Sequence, residues 1–106
     1  MARYLIVASY TAEGIRGVLK GGGSARREVV EKTIAEAGGR LESFDFGFGE
    51  DDAYLIVDLP DNVAAAAIGL AVAASGMVSS RTVVLLTPEE IDRAAKMPVA
   101  YRPPGK

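Results

Sequence analysis

The 106-residue chain has 49% hydrophobic residues and a formal net charge of −2, which predicts one packed domain and excludes a broadly basic nucleic-acid-binding surface. It contains no cysteine and no histidine, which excludes disulfides, thiolate and imidazole metal ligands, and catalysis by a Cys–His pair or a histidine-containing triad. No targeting pattern is visible, and the longest apolar run (63–74) is shorter than the ~20 residues of a membrane span, so we expect a cytoplasmic protein that binds neither nucleic acid nor membranes.

The first half of the chain predicts a strand followed by two helices. Residues 4–10 are rich in β-branched and aromatic side chains, which is typical of a strand. Thr11 is placed to cap a short helix that ends at the glycines 21–23. Ser24 is placed to cap a second helix, whose apolar residues recur at helical spacing as far as Gly38.

A hairpin and a helix follow. Residues 41–48 and 53–59 alternate between apolar and polar side chains around an acidic turn at 49–52, as the two strands of a hairpin do. Asp61 is placed to cap an alanine-rich helix that ends near Gly76.

The C-terminal part predicts a last strand and a short helix. Residues 77–86 form the strand, and the apolar run 82–86 predicts that it is buried on both faces. Thr87 precedes a proline and two acidic residues, a pattern typical of a helix start. We expect one domain (1–97) and an extended C-terminal tail (98–106).

This order of elements predicts an α+β domain of the ferredoxin-like βαββαβ type, with an antiparallel sheet and helices on one of its faces. A four-residue hairpin turn would place three phenylalanines opposite three apolar residues, namely Phe44 opposite Val57, Phe46 opposite Leu55 and Phe48 opposite Ala53. That face is wholly apolar, so we expect the helices to cover it.

The other face of the predicted sheet is only partly polar. It carries Asp45, Tyr54, Ile56 and Asp58, and a half-apolar face is poorly suited to water. We therefore expect a homodimer formed through this open sheet face, with a small cavity between the sheets. The alternative is a monomer whose open face is hydrated.

Asp45 and Tyr54 are the candidate catalytic residues. In a cavity between two sheets, Asp45 would serve as a general base and Tyr54 would donate a hydrogen bond to a substrate oxygen. The alternative is that both are hydrogen-bonded polar groups of a dimer interface.

Candidate anion-binding residues lie in several segments. The glycine loop leads into Arg26 and Arg27, and free backbone N–H groups beside guanidinium groups suit a phosphate or carboxylate. The alternative is a plain helix start whose arginines pair with Glu28 or Glu31. Tyr10 is placed either at the mouth of a cavity or simply in the packing.

Arg81 begins the most apolar part of the last strand. It would anchor an anionic ligand, or form an ion pair with an acid such as Asp58 or Glu42. Asp58, on the open face, is itself a candidate ligand-binding residue. Clustered carboxylates such as those of the acidic turn can hold a hard cation. A solvated turn in which Asp52 accepts backbone N–H groups is the favoured interpretation, so we predict no metal and no other cofactor.

Nearly the whole chain resembles the GYD-domain family, and the segments that carry the resemblance are 10–11, 21–23, 25–28, 48–52 and 86–90. In the family's glycine-x-tyrosine-aspartate signature Gly49 and Asp52 match, and Asp51 occupies the tyrosine position. The resemblance implies a relative of the dimeric α/β barrels, a superfamily that includes cofactor-free monooxygenases, haem-dependent enzymes, lyases and ligand-sensing domains.

The sequence is compatible with three functions. The first is a homodimeric binding module for a small, partly apolar anion, anchored by Arg26, Arg27 or Arg81. The second is a metal-free, cofactor-independent enzyme of the monooxygenase or isomerase type, which would use Asp45 and Tyr54. The third is a structural or assembly role without a ligand.

Overall fold

The structure, a computed structural model, describes residues 1–105; Lys106, the last residue of the predicted tail, lies outside the described residues. Residues 1–105 form one four-stranded antiparallel sheet in the order β2-β3-β1-β4, and four helices. The elements are β1 (Ala2–Tyr10), α1 (Ala12–Gly21), α2 (Gly23–Glu36), β2 (Arg40–Phe46), β3 (Ala53–Leu59), α3 (Asn62–Ala74), β4 (Val78–Leu85) and α4 (Pro88–Ala95). The predicted α+β class with a ferredoxin-like order of elements is confirmed. None of the helices within residues 1–105 is both long and apolar enough to cross a membrane.

The core lies between one face of the sheet and the helices α2 and α3. Alternate residues of β1 and β3 point toward it, because successive side chains of a strand point to opposite faces. Its buried members are Tyr4, Ile6 and Ala8 of β1, Ala53, Leu55, Val57 and Leu59 of β3, Ile34 of α2 and Ile68 of α3. The hydroxyl group of Tyr4 donates a hydrogen bond of 2.6 Å to Oδ1 of Asn62, so its polar end is satisfied.

The hairpin register differs from the predicted one by two residues. Phe46 lies opposite Ala53 and Phe44 lies opposite Leu55, so the connection spans residues 47–52 and Phe48 is fully exposed in it. The predicted pairing of Phe48 with Ala53 is therefore wrong. A shift of two residues preserves which side chains share a face, so the predicted division into a core face and an open face holds for the hairpin.

Long-range contacts set this register. The backbone N–H of Asp52 donates to the carbonyl oxygen of Ala8, and the N–H of Gly47 donates to the carbonyl oxygen of Asp52, both at 2.9 Å. These bonds attach the end of the loop to β1. As a result, the loop contains six residues (47–52) where a four-residue turn was predicted. A β-bulge between Leu41 and Ser43 then changes the pairing further along β2.

The predicted helix caps are confirmed at three of four positions. Thr11 accepts the backbone N–H of Gly14 at 3.2 Å, and Asp61 accepts that of Ala64 at 2.9 Å. Ser24 does not cap α2: the N-cap is Gly22, whose φ of +86° joins α1 directly to α2.

Thr87 starts α4 with a reciprocal capping box. Its hydroxyl accepts the N–H of Glu90 at 3.1 Å, and the Glu90 carboxylate accepts the N–H of Thr87 at 2.9 Å. The hydrogen bond from the Thr87 backbone lowers the pKa of Glu90 below its usual value.

The prediction that β4 is buried on both faces is wrong. Val83 on the open face is 38% exposed, and Val84 on the helix side is 52% exposed. The reason is topological, because β4 is an edge strand and α4 does not fold back over it.

Candidate functional site

The acidic turn is tied to the end of β1. Asp52 accepts the backbone N–H of Tyr10 at 2.9 Å, and Asp51 accepts the hydroxyl of Ser9 at 3.0 Å. An Arg81 nitrogen lies 3.6 Å from the other Asp51 oxygen. The two carboxylates therefore hold different parts of the protein, and in the described part of the chain no three acidic side chains form a group that could hold a metal ion.

Three ion pairs lie on the open face within residues 1–105: Arg3–Glu42, Arg40–Asp58 and Arg81–Asp51, with closest nitrogen–oxygen distances of 3.0, 3.1 and 3.6 Å. Arg81 thus forms an ion pair with an acid, as one of its two predicted roles requires, but the partner is Asp51 and not Asp58 or Glu42. The strand register explains the difference. Arg81 lies opposite Val7 of β1 and Asp58 lies opposite Arg3, so the two side chains are far apart along the strand direction. Both of these predicted ligand-binding residues are thus engaged with protein partners, and they do not come together.

Asp45 and Tyr54 are register partners on adjacent strands of the open face. Both side chains are exposed, and the Asp45 carboxylate accepts no hydrogen bond from residues 1–105. The enclosure that the predicted catalytic role requires would have to come from a second sheet. A shallow hollow of about 160 Å³ on this side of the sheet contains neither residue; it is lined by Val7, Ser9, Asp51, Ser79, Ser80 and Arg81.

An apolar cavity of about 90 Å³ lies on the helix side of the sheet, between the strands and the helices α2 and α3. Most of its wall is aliphatic or aromatic, including Ile6, Ile34, Phe44, Leu55, Ile68 and Val72. Polar side chains border it at one side, among them Arg26 and Tyr10. Such a combination of an apolar wall with a few polar groups is typical of small-molecule sites.

A groove of about 290 Å³ adjoins the cavity between α1 and α2. Gly14, Gly17 and Gly21 line it from α1. Open space surrounds Gly17, where a Cβ would meet nothing within 4 Å, whereas Gly14 lies against the carbonyl oxygen of Met77. Tyr10 and Arg26 line both the groove and the cavity, so they stand where the two meet.

Arg26 is held at this junction by Tyr10. Its Nε donates a hydrogen bond of 3.2 Å to the Tyr10 hydroxyl, and its guanidinium carbon lies 5.5 Å from the centroid of the tyrosine ring. Arg26 is half-buried. Within residues 1–105 it forms no ion pair, and its Nη groups donate no hydrogen bond. The site thus offers a positioned cation with unused donors beside an apolar cavity.

The predicted arginine pair is separated by the fold. Arg27, the next residue of α2, is exposed and lines neither the cavity nor the groove. The alternative in which these arginines pair with Glu28 or Glu31 is not found among the ion pairs of residues 1–105. Of the predicted ligand-binding residues, the structure brings together Tyr10 and Arg26.

The apolar wall of the cavity was missed from the sequence. Val29, Phe44 and Val72 lie far apart along the chain and look like ordinary core residues. One signal was present, because Gly14, Gly17 and Gly21 recur at helical spacing on one side of α1 and so indicate a surface against which something packs closely.

One family model matches the chain, that of the GYD domain, over residues 4–95. No curated protein and no solved structure matches the chain significantly. The matched region runs from β1 to the end of α4 and so includes the Tyr10–Arg26 junction and the cavity. The chain therefore belongs to the GYD-domain family.

Proposed function

We propose that this protein is a binding module for a small, partly apolar anion, bound on the helix side of the sheet. The observation that carries the proposal is Arg26, a half-buried arginine without an acidic partner in residues 1–105, at the mouth of an apolar cavity. The apolar part of the ligand occupies the cavity, and its anionic group accepts hydrogen bonds from the guanidinium.

The volumes limit the ligand to a small metabolite. The cavity of about 90 Å³ accepts a few carbon atoms, and the adjoining groove of about 290 Å³ has room for a polar group. Burial contributes about 0.8 kcal/mol for each CH₂ group, and a hydrogen bond to a charged group contributes about 1.5–3 kcal/mol. After the cost of association, we expect dissociation constants near the millimolar range, which correspond to about −4 kcal/mol.

We also propose that two copies associate through the open sheet face. Leu5, Ile56 and Val83 are neighbours across β3, β1 and β4 and form an apolar row on that face. If two copies pack with their sheets about 10 Å apart, the apolar row of each copy is buried in the interface. The ligand site on the helix side stays accessible in such a dimer.

Calorimetric titration of the protein with hexanoate tests the binding function. Hexanoate combines a short alkyl chain with a carboxylate, and monohexyl phosphate presents a phosphate on the same chain. We expect saturable binding of at least one of them and weaker binding of 1-hexanol, which lacks the charge. Arg26→Gln should weaken binding of the anion about 10- to 100-fold, as the loss of a charged hydrogen-bonding partner predicts.

Arg27→Gln is the matched control, because it removes the same charge from the neighbouring, exposed position and should leave the affinity unchanged. Asp45→Asn should also leave it unchanged. Equal losses in the two arginine variants would indicate a general charge effect and contradict the proposal, as would the absence of binding by both anions. Loss of binding in Asp45→Asn would indicate that the ligand binds on the open sheet face and would contradict the proposed site.

A further inference from the structure

Helix α3 exposes apolar surface that nothing in residues 1–105 covers. It contains no charged residue, and within the described chain Ile68 is its one buried member. Leu70, on its outer side, is 72% exposed. A helix that is apolar all round is normally buried, so this outer side has the character of a contact surface.

The C-terminal arm, defined here as residues 86–101, is the second uncovered apolar surface. Ile91, Ala94 and Ala95 fall on one side of α4, and its charged residues fall on the other. Ile91 is half-exposed, and the described part of the chain buries no residue of α4. Because an isolated helix of this length is unstable in water, α4 needs a surface to pack against.

The protein is more extended than a folded monomer of its size, which indicates that part of its surface is covered by a partner. Its accessible surface is 7538 Å², whereas about 5,700 Å² is expected for a folded monomer of this mass. Its radius of gyration is 16.9 Å, whereas about 13 Å is expected for this length. The excess of surface exceeds the roughly 800 Å² that each partner buries in a standard interface.

An open groove of about 680 Å³ runs between α3 and β4. Its lining is uncharged and includes Ala66, Gly69, Leu70, Ala73, Val78 and Thr82. The small residues of α3 allow another helix to approach closely. The groove is therefore suited in size and chemistry to the apolar side of a short helix.

We propose that two copies of this chain exchange their C-terminal arms, with the Ile91 side of α4 in one copy packed into the α3–β4 groove of the other. The α4 helix does not pack into the groove of its own chain: it follows β4 after only two residues, 86 and 87, and it makes no extensive contact with α3 or β4 in the described chain. A twofold axis makes the exchange reciprocal, so both grooves and both arms are covered. This inference rests on the proposed homodimer and adds a second contact to it.

Cysteine cross-linking tests the exchange, because the natural chain has no cysteine. Ile91→Cys protein is mixed with Leu70→Cys protein, and a short bismaleimide is added. We expect a cross-linked dimer with one chain of each kind. Ile91→Cys mixed with Lys32→Cys, an exposed position on α2, should give no such product. Cross-links only between two Leu70→Cys chains, or only between two Ile91→Cys chains, would overturn the proposal. A third protein carries Ile91→Cys and Leu70→Cys in the same chain, and an intramolecular cross-link in it would also overturn the proposal.

Sedimentation of the natural protein separates this inference from the proposed dimer. A dimer that gives no Ile91–Leu70 cross-link overturns the arm exchange and leaves the sheet-face dimer standing. A monomer at every concentration overturns both. Ile91→Lys provides a second test: its side chain supports no core contact, so the chain should fold, and the dissociation constant of the dimer should rise at least tenfold. An unchanged dissociation constant would contradict the exchange.

Discussion

Arg26 donates from Nε to the hydroxyl oxygen of Tyr10 at 3.2 Å, although the two residues belong to different elements and are separated by all of α1. The bond fixes the guanidinium between the apolar cavity and the groove that lies between α1 and α2, and it leaves the Nη groups of Arg26 available to a ligand. It also gives the tyrosine a role in positioning the arginine, which is distinct from a contact with the ligand.

Tyr10→Phe should weaken hexanoate binding without abolishing it. The ring that lines the cavity remains, but Arg26 loses the hydroxyl that orients it, and a hydrogen bond of this kind contributes about 1 kcal/mol. We expect about a fivefold rise in the dissociation constant, measured by calorimetry, and little change for 1-hexanol. An equal loss for the alcohol would show that the hydroxyl serves the cavity and not the arginine.

Val72→Phe should close the cavity. Val72 lies on α3 and faces the empty volume, so a larger side chain can occupy part of the space that the alkyl chain would take. Hexanoate affinity should fall at least tenfold. The melting temperature should change little, because the added atoms enter a void and not a filled core. A variant that melts normally and binds hexanoate as the natural protein does would exclude this cavity as the alkyl site.

Two glycines of α1 should respond oppositely to alanine. A Cβ at Gly14 would collide with the carbonyl oxygen of Met77, whereas a Cβ at Gly17 meets nothing within 4 Å. Gly14→Ala should cost about 1–3 kcal/mol of folding free energy. Gly17→Ala should stabilise the helix by about 0.5–1 kcal/mol. Urea unfolding of the two variants measures both effects, and equal values would contradict the close approach of α1 to Met77.

The aspartate of the family signature should be structural. Asp52→Ala removes the acceptor of the Tyr10 N–H and should cost about 1–3 kcal/mol, which corresponds to a fall of at least about 4 °C in melting temperature. Glu50→Ala, in the same turn but exposed, should stay within about 0.5 kcal/mol of the natural protein. A fall in Glu50→Ala as large as that in Asp52→Ala would argue for a general effect of turn charge.

Local signals were sufficient for the order of elements. Thr11, Asp61 and Thr87 each satisfy N–H groups of the helix they precede, and such caps depend on a few neighbouring residues. The α+β class followed from that order. The cap predicted at Ser24 was wrong because Gly22, with its positive φ, lets one helix follow another without a side-chain cap.

Long-range contacts decided what the sequence could not predict. The hairpin register depends on the attachment of Asp52 to β1, and the exposure of β4 depends on its place at the edge of the sheet. Neither property is local. Tyr10 and Arg26 were identified as candidates from the sequence, but their meeting depends on how Gly22 joins α1 to α2. The roles predicted for Asp45 and Tyr54 on the open face stay predictions.

The most direct test of the account is an NMR titration of the natural protein with hexanoate, which reports where the ligand binds. We predict that the largest chemical-shift changes occur at Tyr10, Arg26 and Val72, on the helix side of the sheet. Changes concentrated at Tyr54, Ile56 and Val83, on the open face, would contradict the central claim.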